Sequence, residues 1–98
     1  MWTDRAFSRL EEQADHIAAD DPGAARRMLE RIFERVESLA EMPESGRAYP
    51  GANDSSLREV IIGKYRVIYR VVETEKAIHV ITVRHGRQQP LCPDELDL

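Results

Sequence analysis

Two arginines, Arg66 and Arg70, stand four residues apart in an alternating apolar run, and a second apolar run closes on Arg84-His85-Gly86-Arg87. Guanidinium groups grip phosphate or carboxylate through paired, fixed-geometry donors. An imidazole changes charge near neutral pH and can move a proton. Arg58 and Tyr65, in the same stretch, add a further cation and a phenol. Such a set could bind an anionic target, or it could stabilise a charged transition state if an acid and a base converged on it. Metal chemistry is not expected. Cys92 is the single cysteine, and His16, His79 and His85 have no zinc-ligand spacing around it. No cofactor motif is present either.

The charge distribution agrees with a basic working segment on an acidic body. Residues 1–56 hold seven Lys/Arg against twelve Asp/Glu, giving −5. Residues 57–90 hold seven against three, giving +4, and residues 91–98 add three acids, Asp94, Glu95 and Asp97. The formal net charge is −4. Extended nucleic-acid docking gains from many phosphate contacts, so this balance weighs against it, although the local positive segment softens the point. No window is long and apolar enough for a membrane span, and the charged N-terminus lacks the form of a secretory signal. The cytoplasm is the expected compartment, with no membrane partner.

The elements that must position these residues follow from periodicity. Thr3 or Asp4 can cap a first helix whose apolar face is Phe7, Leu10, Ala14, Ile17 and Ala18. Asp21-Pro22 opens a second, with Asp21 as cap and Pro22 where a missing N–H costs nothing. Its stripe is Ala25, Met28, Leu29, Ile32, Phe33, Val36, Leu39 and Ala40, and Pro43 ends it. At that spacing Met28, Leu29 and Phe33 read as core. Trp2 reads as packing at the helix entrance. The short link predicts an antiparallel helical hairpin.

Residues 47–56 read as a loop. Leu57–Ile62, Tyr65–Val72 and Ala77–Val83 read as three antiparallel strands joined by Gly63-Lys64 and by Glu73–Lys76. The result is an α+β domain over residues 1–90, a hairpin covering one face of a three-stranded sheet, followed by an acidic tail, 91–98. Period-2 geometry puts Tyr65, Val67, Tyr69 and Val71 on one face, with Arg66, Ile68, Arg70 and Val72 on the other. Arginines seldom enter a core unpaired, so the Arg66 and Arg70 face should turn from the helices. There the two either form an open basic surface or pair across strands with Glu59, Glu73 or Glu75.

In its ordered motifs the chain resembles the RelE/ParE toxin superfamily, the ParE-like branch most closely. The residues that carry the resemblance are Trp2-Thr3 with Ala6 and Leu10, then Asp20-Asp21-Pro22-Gly23-Ala24-Ala25. They continue through Leu39-Ala40 and Pro43 to Gly46-Arg47. The most specific are Leu57-Arg58-Glu59-Val60, Tyr65 to Val71, and Ile81-Thr82-Val83-Arg84-His85-Gly86-Arg87-Gln88. Family members usually begin with a short strand before the Trp-Thr step. Either the true start lies upstream, or this version lacks that strand, in which case the sheet exposes an additional edge.

The resemblance implies the toxin half of a type II toxin–antitoxin pair. Its partner would be a cognate antitoxin, ParD- or RelB-like, in a toxin–antitoxin hetero-oligomer, with operator DNA contacted only through the antitoxin. ParE-like toxins poison DNA gyrase by binding, which makes Arg58, Tyr65, Arg66, Arg70, Arg84, His85 and Arg87 the expected target-binding set. RelE-like toxins instead cut messenger RNA on the ribosome without a metal, which would put Arg66, Arg84, His85 and Arg87 in catalysis. The tail Gln88-Gln89-Pro90-Leu91-Cys92 offers no tyrosine for that chemistry. The gyrase reading therefore fits better. An inactive relative that only binds its antitoxin is the third reading.

Overall fold

The computed structural model describes residues 1–86, and the order of elements is helix–helix followed by strands. Helix α1 spans Asp4–Ala18 and α2 spans Pro22–Glu41. Thr3 and Asp21 cap them as their side-chain chemistry predicts, accepting from the backbone N–H groups of Ala6 and Ala24. The faces they bury are Ala6, Leu10 and Ala14 on α1, and Ala25, Ile32, Val36 and Leu39 on α2. These pack on one face of an antiparallel sheet.

The sheet has four strands in sequential order: β1 (Arg47–Ala48), β2 (Leu57–Ile62), β3 (Tyr65–Val72) and β4 (Ala77–His85). The expectation of three strands, with a loop from Arg47, is corrected by β1. Two residues are too few to show a period, so only their pairing reveals them: Arg47 lies opposite Glu59 and Ala48 opposite Arg58. The expected bare edge is also corrected. The backbone of Met1–Thr3 runs parallel to β4, with Val80 N–H donating to Met1 C=O (2.8 Å) and Thr3 N–H to Val80 C=O (3.1 Å). A segment this short carries no strand signal of its own.

One irregularity decides which β4 side chains face the helices. Ile68 pairs with Thr82 but Tyr69 pairs with Val80, so Ile81 is an extra residue in β4. The bulge reverses the alternation. Ile78, Val80 and Val83 consequently all join the helix-covered core, while Ile81 joins a smaller cluster on the far face with Tyr49, Leu57 and Ile68. The hydroxyl of Thr3 donates to the Ile81 carbonyl at the bulge (3.1 Å) while its oxygen caps α1, so one side chain serves both elements.

Two aromatic residues depart from their expected burial. Phe7 is 47% exposed and Phe33 36% exposed. Both meet Trp2 edge-to-face, at centroid separations of 6.3 and 5.4 Å. Their helical spacing matches the buried stripe, but the hairpin packs on the sheet along Ile32, Val36 and Leu39, leaving Phe33 at the rim. Met28 and Leu29 pack against the core as expected.

Candidate target-binding surface

The face turned from the helices is built outward from Glu59. It is the sole acid between Leu57 and Val72, and it is 2% exposed. Arg47 on β1 reaches its Oε1 through Nε (2.9 Å) and an η nitrogen (2.5 Å), and Arg66 on β3 approaches the same oxygen at 3.4 Å. A carboxylate so buried requires such partners, because desolvation of an unpaired charge is costly. Glu59 thus orients the Arg66 guanidinium. Arg84 lies directly across the strand pair from Arg66. Like charges at such close cross-strand positions repel, and the Glu59 carboxylate beside Arg66 offsets that repulsion.

Arg70 occupies the same face one period along β3. It pairs with Asp54 and bonds to the Ser56 hydroxyl (3.0 Å). Ser56, through its hydroxyl and its backbone N–H, and then Arg70 hold the Asp54 carboxyl below its usual value near 3.8. Both alternatives for Arg66 and Arg70 are therefore partly realised: the residues do lie on the face away from the helices, and each has an acidic partner. Asp54, which neutralises Arg70, comes from the loop before β2 rather than from Glu73 or Glu75. The centre of the face is not bare, because Tyr49 and Ala52 of that loop close over Leu57, Ile68 and Ile81. Ile61, opposite Arg66, is left 57% exposed.

The structure parts the other expected residues. Arg58 is on the helix side of β2, beside Tyr69, and donates to the Gly46 carbonyl at 2.8 Å. Tyr65 is buried in the helix-side core, opposite His85, with the rings edge-to-face at 5.5 Å. Neither belongs to the Arg66 face, as alternation along β2 and β3 requires. Arg84 and His85 are adjacent in sequence and so point to opposite faces, which divides the expected C-terminal edge in two. Arg87, like the 91–98 tail and Cys92, lies outside the described residues. Burial pushes the Tyr65 phenol up, so it stays neutral at physiological pH.

Arg47, Asp54 and Glu59 were not among the expected site residues. Glu59 carried a readable signal: an acid flanked on its own face by Leu57 and Ile61 needs a partner. Arg47 and Asp54 carried none, since both sit in a segment read as loop. Among the described residues no three His, Cys, Asp or Glu side chains gather as metal ligands, and no helix is long and apolar enough to cross a membrane.

Residues 1–90 match the family model described as the ParE toxin of the type II toxin–antitoxin system, parDE. The chain belongs to the ParE toxin family. A toxin-named protein of Sinorhizobium fredii, Y4kP, is 41% identical over 90 residues, covering 90% of this chain and 88% of that protein. Toxin RelE2 of Caulobacter vibrioides is 36% identical over 87 residues, covering 88% of this chain and 92% of its own. The fold is also that of a chain from the chromosomal ParDE TA system from P. aeruginosa. The TM-score is 0.69 at 22% identity, over 86% of this chain and 90% of that one. This ParE-family toxin therefore shares the α+β architecture of that neighbour.

Proposed function

We propose that this ParE-family toxin acts by binding and poisoning DNA gyrase, through the face that carries Arg66, Arg70 and Arg84, and that a cognate antitoxin neutralises it. The carrying observation is the division of the charged residues. His85, the candidate proton donor, stands on the opposite side of the sheet from Arg66 and Arg84, across from Tyr65. An RNA-cutting site needs acid, base and anion-stabilising groups around one phosphate. Binding needs only the cations and their geometry.

An apolar partner surface at the end of α2 and of β3 supports the antitoxin. An apolar cleft of about 670 Å³ includes Met42, Pro43, Val71 and Val72. It shares Ala40, Lys76 and Ala77 with a second cleft of about 370 Å³ that reaches Trp2 and Phe33. Continuous apolar surface of this kind, rimmed by Glu37, Glu41, Glu44 and Glu73, suits an amphipathic antitoxin segment. The deciding assay is supercoiling by purified gyrase. Inhibition, or accumulation of cleaved DNA, that falls by about tenfold or more in Arg66→Gln/Arg84→Gln supports the reading. Unimpaired supercoiling together with cutting of ribosome-bound message overturns it in favour of the nuclease. Unimpaired supercoiling with no cutting and normal growth on expression leaves an antitoxin-binding module.

A further inference from the structure

A second cationic region lies on the helix side of the sheet, away from both surfaces above. The end of α1, the start of α2 and the β2–β3 turn enclose a cleft of about 650 Å³. Its rim carries His16, Arg27, Arg31, Lys64 and His85, and its lining includes no Asp or Glu. Its floor is apolar: Ile17, Met28, Ile32 and Ile62.

Local geometry brings Arg31 against the turn that bears Lys64. Gly63 has φ +59, as the first position of a tight II′ hairpin turn requires. Its missing side chain also lets the Arg31 guanidinium lie over the turn, since a Cβ there would stand 3.2 Å from an Arg31 η nitrogen. The Gly86 N–H donates to the Lys64 carbonyl at 2.6 Å, tying that turn to the end of β4 and its His85. Among the described residues neither Arg31 nor Lys64 forms an ion pair, and Arg27 has only a distant exposed contact with Asp21, at 3.9 Å. A chain of net charge −4 thus lines this cleft with three permanent cations and no acid, Asp21 standing outside the lining at 3.9 Å from Arg27.

We infer that this cleft is a nucleotide site, with phosphates held by Arg27, Arg31 and Lys64 and the base laid on the apolar floor. Two features select this chemistry. Clustered cations on one rim call for a multiply charged anion, which phosphate supplies and a single carboxylate does not. An apolar lining beside them calls for a ligand with an apolar part, and the volume is that of a small-molecule site. Nucleotides combine both properties, either as a free nucleoside triphosphate or as one unit of a single strand. The site is independent of the gyrase reading, because it lies on the other face from Arg66 and is measured on the toxin alone.

The test is titration of the purified full-length toxin with ATP, with a short oligothymidylate and with inorganic tripolyphosphate. Saturable binding of ATP or of the oligonucleotide is expected, weakened by about tenfold or more in Arg31→Gln/Lys64→Gln. The exposed control Arg9→Gln should change binding by less than about twofold. ATP binding without oligonucleotide binding assigns free nucleotide, and the reverse assigns a strand. Tripolyphosphate binding as tightly as ATP overturns the nucleotide assignment, since the floor then contributes nothing. Binding that the double variant retains, or no binding of either nucleotide ligand, overturns the site. The melting transition of the double variant verifies that a loss is not one of folding.

Discussion

The two faces of the sheet solve different problems with the same alternating strands. The helix-covered face is dry and continuous: Val60, Val67, Val80 and Val83 meet Leu10, Ile32 and Leu39 in one core. Its main polar tie is the Tyr69 hydroxyl, which donates to the Pro43 carbonyl (2.6 Å) and accepts from the Gly46 N–H (3.0 Å). Among the described residues the far face has a four-residue buried apolar cluster and is otherwise organised by charge, Arg47–Glu59–Arg66 and Arg70–Asp54. Apolar burial is non-directional and holds the fold, whereas ion pairs near water add little stability and mainly set geometry. Stability should therefore reside mainly on the helix-covered face, while the far face sets the geometry of its guanidinium groups.

Core truncation should open the widest gap between them. Ile32→Ala, at a fully buried position, is expected to cost about 2–5 kcal/mol in urea unfolding, with Ile68→Ala at the low end of that range. Equal costs would show the far-face cluster to be a second core. Glu59→Gln should cost less, about 1–3 kcal/mol, by leaving Arg47 and Arg66 without their buried counter-ion. A cost near zero would reduce the triad to a surface pairing. Tyr69→Phe should cost about 1–2 kcal/mol, because the Gly46 N–H and the Pro43 carbonyl lose their partner. The smallest effect belongs to Asp54→Asn.

That last case also has a sign. The folded Asp54 carboxyl titrates below its usual value near 3.8, so its contribution is present above that pH and fades as the pH falls through the folded value. Solvent exposure keeps the contribution small. Wild type and Asp54→Asn should therefore converge in melting temperature in strong acid and differ slightly at neutral pH. A difference that grows on acidification would reverse the assignment.

Much of this division is readable along the chain, and the failures have local causes. Alternation in Tyr65–Val72 placed Arg66 and Arg70 away from the helices, and caps at Thr3 and Asp21 marked both helix starts. The same alternation separates Tyr65 from Arg66 and Arg84 from His85, so a site grouping all four could not survive folding of the strand. The pairing of β1, the parallel run of Met1–Thr3 and the bulge at Ile81 lacked a local signature, because each depends on a neighbour remote in sequence.

By itself, then, the sequence determined the elements, their caps, the side of β3 on which each residue lies and the family. Those properties depend on period, on side-chain reach to nearby backbone and on ordered motifs. Only the tertiary structure decided which cations have partners and which converge. It joined Arg47 to Glu59, Asp54 to Arg70, and Arg31 to the turn bearing Lys64. The physical reason is range. Backbone preference acts over a few residues, whereas a charge interacts with whatever the packing of distant elements brings within a few ångströms of it.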